Sequence, residues 1–125
     1  MMSPRTARQR LGDQAETLAR DYLKHQGLTL RTQNFLCRLG EVDLIMQDGN
    51  TCVFVEVRLR RSDRFGGALA SVTRQKQQRL IHTANFYLQH EQLSSPCRFD
   101  VITLVLDHEG QPCIDQWIRD AFQAF

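Results

Sequence analysis

The chain has 125 residues, 42% of them hydrophobic and 24% charged, which is the composition of one globular domain over residues 1–125 with a single core. No apolar run reaches transmembrane length, and Met1 to Arg10 is polar throughout, so neither a membrane partner nor a signal peptide is expected. A net charge of +2 excludes nothing by itself; the distribution of that charge is more informative.

In chain order, Arg5 to Gln26 reads as a helix. Leu11, Ala15, Leu18, Ala19, Tyr22 and Leu23 form one apolar stripe, and Gly27 is a natural terminator. Glu16 falls at the rim of that stripe. An acid there is ordinarily a solvated charge, although it can also reach over the sheet that the helix covers. Leu28 to Phe35 reads as an edge strand.

Gly40-Glu41-Val42-Asp43-Leu44-Ile45 and Val53-Phe54-Val55-Glu56-Val57-Arg58 alternate and are rich in β-branched residues, so each reads as a strand. Asp48-Gly49 between them suggests a type I′ hairpin loop. That loop sets Asp43 opposite Phe54 and Glu41 opposite Glu56. Asp43 and Glu56 then share a face as diagonal neighbours, roughly 7–8 Å apart at the backbone. Carboxylates so placed can reach a common hard cation. Arg58 shares the face again. Glu56 inside Val-Phe-Val-Glu-Val argues against an ordinary solvated charge, because burying an unpaired carboxylate is costly.

Beyond the hairpin the chain turns basic. Arg58, Arg60, Arg61, Arg64, Arg74, Lys76 and Arg79 face a single acid, Asp63, with Phe65-Gly66-Gly67 as a loop between them. Cations beside an acidic metal-type site suit a phosphodiester polyanion. Val72 to His90 reads as a second helix, with Lys76 one turn before Leu80 on the flank of its apolar face. Arg98 to Leu106 is the most continuous apolar run and reads as a central strand covered on both sides. Pro112 to Gln116 reads as a short edge strand, and Trp117 to Phe125 as a short terminal helix.

Cys37, Cys52, Cys97 and Cys113 show no C-x-x-C pairing, which points to reduced thiols in a cytoplasmic protein rather than a zinc site. The four histidines are far apart and show no ligand spacing. The order α-β-β-β-α-β-β predicts an α/β fold, a central mixed sheet flanked by helices.

The pattern resembles the YraN family of small bacterial proteins, similar in fold to the restriction-endonuclease and archaeal Holliday-junction-resolvase group. The matching residues are Gly12, Glu16, Ala19, Tyr22-Leu23, Gly27, Asn34-Phe35, Gly40 to Ile45, Phe54 to Val57, Lys76 and Arg98-Phe99-Asp100. The resemblance implies a nuclease-like D…E-x-K site with Glu16, Asp43 and Glu56 as its acids. Arg58 stands where the pattern has lysine. Arginine keeps its proton and cannot act as a general base, so Lys76 is the alternative source of an ammonium.

In the catalytic reading Asp43, Glu56 and the Val57 carbonyl hold Mg²⁺ or Mn²⁺. Glu16 binds a second ion or orients a water, and Arg58 or Lys76 stabilises the developing charge. Arg60, Arg61, Arg64, Arg74 and Arg79 contact the backbone of DNA, branched DNA included. The alternatives are an inactive DNA-binding adaptor on the same fold and a protein-interaction module; the oligomeric state is left open, a homodimer included.

Overall fold

Residues 4–60 and 72–123 are described in the computed structural model. The elements are α1 (Ala7–His25), β1 (Thr29–Cys37), β2 (Gly40–Asp48), β3 (Thr51–Arg60), α2 (Arg74–His90), β4 (Cys97–Leu106) and β5 (Pro112–Phe122). The strands form one mixed sheet in the order β1-β2-β3-β4-β5, parallel only between β3 and β4, which α2 connects.

Each helix covers one face. Ala15, Ala19 and Leu23 of α1 pack on Leu44, Met46, Val53, Val55, Ile102 and Leu104. Leu80, Ile81, Ala84 and Tyr87 of α2 pack on Ile45, Phe54, Phe99 and Val101. Adjacent β4 residues Val101 and Ile102 therefore belong to opposite cores, as a strand buried on both faces requires.

Both helices begin at threonine caps. Thr6 Oγ1 accepts from the Gln9 amide at 3.1 Å while Gln9 Oε1 accepts from the Thr6 amide at 2.9 Å, a reciprocal capping box. Thr73 Oγ1 accepts from the Lys76 amide at 3.2 Å, so α2 starts with Lys76 in its first turn.

Two expectations from the sequence are corrected. The β2–β3 loop is Gly49-Asn50, with Asp48 paired to Thr51 and Ile45 to Phe54. Of the two loop residues only Gly49 has positive φ, at 58°, so the chain turns one residue later than Asp48-Gly49 suggests. The register consequently moves by two, which preserves the facing of every side chain. Residues 117–122 continue β5 instead of forming a helix: Trp117 pairs with Ile102 and Phe122 with Phe99. The pairing covers what would otherwise be the bare edge of β4, and Phe122 stacks on Phe99 at 5.0 Å between centroids.

Among the described residues no helix is long and apolar enough to cross a membrane. The four histidines are exposed, and the four cysteines are free thiols, with burial pushing Cys52 up to about 11.

Candidate active site

The site lies where two central strands part. The β2–β3 ladder ends at Leu44↔Val55. Past that rung β2 stays paired with β1 as far as Gly40, and β3 stays paired with β4 as far as Arg60. Asp43 and Glu56 are the next positions in the same register, at the mouth of the fork. There the Val57 amide, with no strand partner on β2, donates to Asp43 Oδ2 at 2.8 Å. The Asp43 side chain thus closes a rung that the backbone leaves open.

Both helices contribute to this point. Lys76 Nζ of α2 lies 3.1 Å from Glu56 Oε2, and Glu56 is only 4% exposed. From α1, Glu16 joins Glu41 and Asp43 in a cluster in which one carboxylate oxygen of each lies within 4.8 Å of the others. Gly40, Glu41, Asp43, Glu56, Lys76, Arg79 and Leu80 line a cavity of about 210 Å³. Gly40 (φ 151°) lets the start of β2 approach α2: a Cβ there would stand 2.9 Å from Thr83 Oγ1, which is held by donating to the Arg79 carbonyl at 2.8 Å.

Two of these carboxyls, Asp43 and Glu16, are pushed toward the protonated form. Burial, then a hydrogen bond and repulsion from Glu56, push Asp43 up to about 8, against the opposing Val57 amide and Lys76. Desolvation, then the charges of Asp43, Glu41 and Asp13, push Glu16 up to about 7, while a hydrogen bond from Asn34 works the other way. Glu16 Oε1 is buried without a hydrogen-bond partner. Such a set has the chemistry to hold a divalent cation, which would replace protons and relieve the repulsion between the acids.

These shifts fix a pH dependence. In the folded protein Glu16 and Asp43 keep protons that the unfolded chain releases near pH 4.5 and 3.8. The native state therefore binds more protons, and this contribution to stability, complete below about pH 4, is lost as pH rises through 7 to 8. In chelator, Tm is expected to fall by roughly 5 °C more between pH 5 and pH 8.5 in the parent than in Asp43→Asn, with Mn²⁺ reversing the loss at high pH. Equal pH profiles of parent and variant in calorimetry would remove the protonated-carboxyl description.

The sequence-derived residues are not all brought together. Glu16, Asp43, Glu56 and Lys76 converge, with Arg79 exposed at the rim of the cavity. Arg58 does not. It sits beside Thr103 of β4, two residues and therefore roughly 7 Å beyond Glu56 along β3, and is not in the cavity lining. Arg60 is 8% exposed at the end of β3, paired with Val105, so it is not a surface phosphate contact. Arg74 is exposed in the first turn of α2; Arg61 and Arg64 lie outside the described residues. Val57 meets the site through its amide. Glu41 was missed as a site acid, although its position two residues before Asp43 on one strand is the signal that finds it.

A family model described as Uncharacterised protein family UPF0102 matches residues 15–104, which run from α1 through β4 and include every converging acid and Lys76. The chain belongs to this family. UPF0102 is the YraN family whose pattern the sequence resembles. A UPF0102 protein of Herminiimonas arsenicoxydans is 54% identical over 121 residues, covering 97% of this chain and 93% of the relative. One from Nitrosomonas europaea is 50% identical over 111 residues, covering 89% and 92%. Another, from Nitrosococcus oceani, is 48% identical over 124 residues, covering 98% of each. This UPF0102 chain thus matches its relatives over nearly their whole length.

Proposed function

We propose that this UPF0102 protein is a cytoplasmic, Mg²⁺- or Mn²⁺-dependent endodeoxyribonuclease that acts on branched DNA. The observation that carries the reading is the fork itself: Glu41, Asp43 and Glu56 of β2 and β3 line one cavity with Lys76 of α2, and Glu16 of α1, its Oε1 buried and unpartnered, clusters with Glu41 and Asp43. All the donors are hard oxygens, which suit these cations.

Asp43, Glu16 and Glu41 would hold the ion, with Glu56 at its edge. Bound there, it would polarise the scissile phosphate and lower the pKa of a coordinated water. The remaining steps belong to the chain. Lys76, already paired with Glu56, offers its ammonium to a phosphate oxygen as charge builds there. Arg79 at the rim and Arg74, exposed five residues earlier in the first turn of α2, meet flanking phosphates. Glu56 orients the Lys76 ammonium, and Asp43 is fixed by the Val57 amide. Among the described residues no Ser, Cys, His or Tyr lines the cavity, so water is the nucleophile that this lining favours.

Incubation of the purified protein with labelled four-way junctions, flaps and linear duplexes in Mn²⁺ or Mg²⁺ tests the proposal. Cleavage that disappears in chelator and in Asp43→Asn is expected. A parent that binds these substrates without cutting them would instead make it a DNA-binding adaptor, and one that neither binds nor cuts would remove nucleic acid altogether. Binding should also weaken with salt. Replacing Arg74 and Arg79 together is expected to reduce the log–log salt slope by about 2, near 0.9 for each phosphate no longer neutralised. An unchanged slope in a filter-binding titration would take α2 out of the interface.

A further inference from the structure

We propose that the tip of the β1–β2 hairpin reads the branch: Leu36 and Leu39 cover the bare face of the base pair that ends at a DNA branch point, beside the acid cluster. The inference rests on the nuclease reading above and names the residues that select its substrate.

Exposed apolar side chains are concentrated at this tip. Five large hydrophobic residues are exposed among the described residues, Leu18, Leu30, Leu36, Leu39 and Leu106, and Leu36 is the most exposed at 72%. Two of the five therefore fall within four consecutive positions. Scattered surface leucines are ordinary, but a pair at the rim of a candidate site is not.

The register places the pair against the acids. Leu36 is the direct cross-strand partner of Glu41, so both side chains leave the sheet on one face. Glu41 belongs to the carboxylate cluster and lines the cavity. Leu39 stands in the two-residue turn Arg38-Leu39, closed by the Cys37↔Gly40 pair, and immediately precedes the cavity-lining Gly40. Arg38 is exposed between the two leucines.

The tip is seated on α2 from behind. Phe35 packs on Phe86 and Tyr87, with ring centroids 6.3 and 5.1 Å apart. Gly40 approaches Thr83 so closely that a Cβ would not fit. With both flanks fixed, Leu36 and Leu39 form a preorganised apolar surface that loses little freedom on binding.

A flat apolar group with a phosphate beside it matches this surface, the leucines meeting the base and Arg38 the phosphate. Within a continuous duplex every base pair is already covered by its neighbours, so a leucine can reach a base only by unstacking a step. At a branch the last pair is already uncovered, and that cost is largely absent. The same two side chains thus favour a branch over a linear duplex and bring it next to the acids.

The test measures binding of the purified protein to a four-way junction, a flap and a linear duplex of equal length, in Ca²⁺ and in chelator. The branch-point base is 2-aminopurine, whose fluorescence reports loss or gain of a stacking neighbour. Leu36→Ala with Leu39→Ala is expected to keep the parent Tm, since both side chains are exposed, and to keep the parent affinity for linear duplex. It should bind the junction and flap at least roughly 10-fold more weakly and lose the 2-aminopurine response of the parent. Leu36→Met with Leu39→Met should retain both.

A parent that binds branched and linear DNA equally, or a double alanine variant whose affinities for both match the parent or fall together, would overturn the inference and leave the DNA reading standing. So would a parent that sediments as a dimer and a variant that sediments as a monomer, because the leucines would then cover a second copy of the chain. A parent that binds no DNA would overturn the nuclease reading and this inference together.

Discussion

Replacing Lys76 with alanine is expected to slow metal-dependent DNA cleavage by about 10²–10⁴-fold while leaving DNA affinity nearly intact. The two effects separate because Lys76 is one cation among several on the binding side. It is also the one whose ammonium stands at the fork, 3.1 Å from Glu56 Oε2. Its truncation removes the charge that would meet the developing negative charge on phosphate and also leaves a 4% exposed carboxylate without its counter-ion. Lys76→Arg is the discriminating control. A guanidinium keeps the charge but not the compact point donor, so parent-like binding without recovery of rate is expected. Arg58→Lys, which restores lysine at the position the nuclease pattern prefers, should change the rate little, because Arg58 lies along β3 beyond the cavity. If Arg58→Lys raised cleavage sharply in single-turnover assays while Lys76→Ala left it unchanged, the ammonium would belong to β3 and the role given to α2 would be wrong.

What the sequence made legible follows from how local each feature is. Strand alternation is a property of a few consecutive residues, so β2 and β3 were readable, and their facing survived an error in the loop because the register moved by two. The loop itself was misread since Asp48-Gly49 and Gly49-Asn50 overlap in one glycine, and only the rung Asp48↔Thr51 decides between them. That rung brings Asp43 directly opposite Glu56, closer than the diagonal placement inferred from pattern alone.

Glu16 was the harder case. Its rim position is visible on a helical wheel, but whether it meets the fork depends on how α1 docks, and this is set by the small residues Ala15 and Ala19 against the sheet. Nothing local reports that. Residues 117–122 failed for the opposite reason: a short apolar segment fits either period. The exposed edge of β4 and the acceptor Asp100 drew it into a strand, with Asp120 at φ 51° donating its amide to Asp100 Oδ1 at 3.0 Å. The Arg98-Phe99-Asp100 match was legible as a motif, yet its role in joining distant strands was not.

That role sets the largest stability effect. Asp100 is 1% exposed and accepts from Arg98 Nε at 3.0 Å, Trp117 Nε1 at 3.0 Å and the Asp120 amide. Arg98 in turn donates to Asp48 Oδ2 at 2.9 Å, so one network ties β5 to β4 and β4 to the far end of β2. Asp100→Ala strands a partly buried guanidinium, an indole N–H and a backbone amide at once, and is expected to cost about 3–5 kcal/mol. The corresponding fall in Tm is roughly 10–20 °C. Arg98→Ala should cost a similar amount by leaving the carboxylate uncompensated. A double replacement by apolar residues of similar volume, Arg98→Met with Asp100→Leu, should lose less than either single variant, since the desolvation penalty of the charges disappears with them. The Arg98–Asp48 end of the network lies at the opposite end of β2 from Gly40, and Asp100 sits on β4 beside Val55 and outside the cavity lining, so Mn²⁺ affinity below the lowered Tm should stay near the parent value. Urea unfolding of the three variants decides the point: Asp100→Ala within about 1 kcal/mol of the parent would mean that the network's hydrogen bonds are replaced by solvent and do not anchor β5.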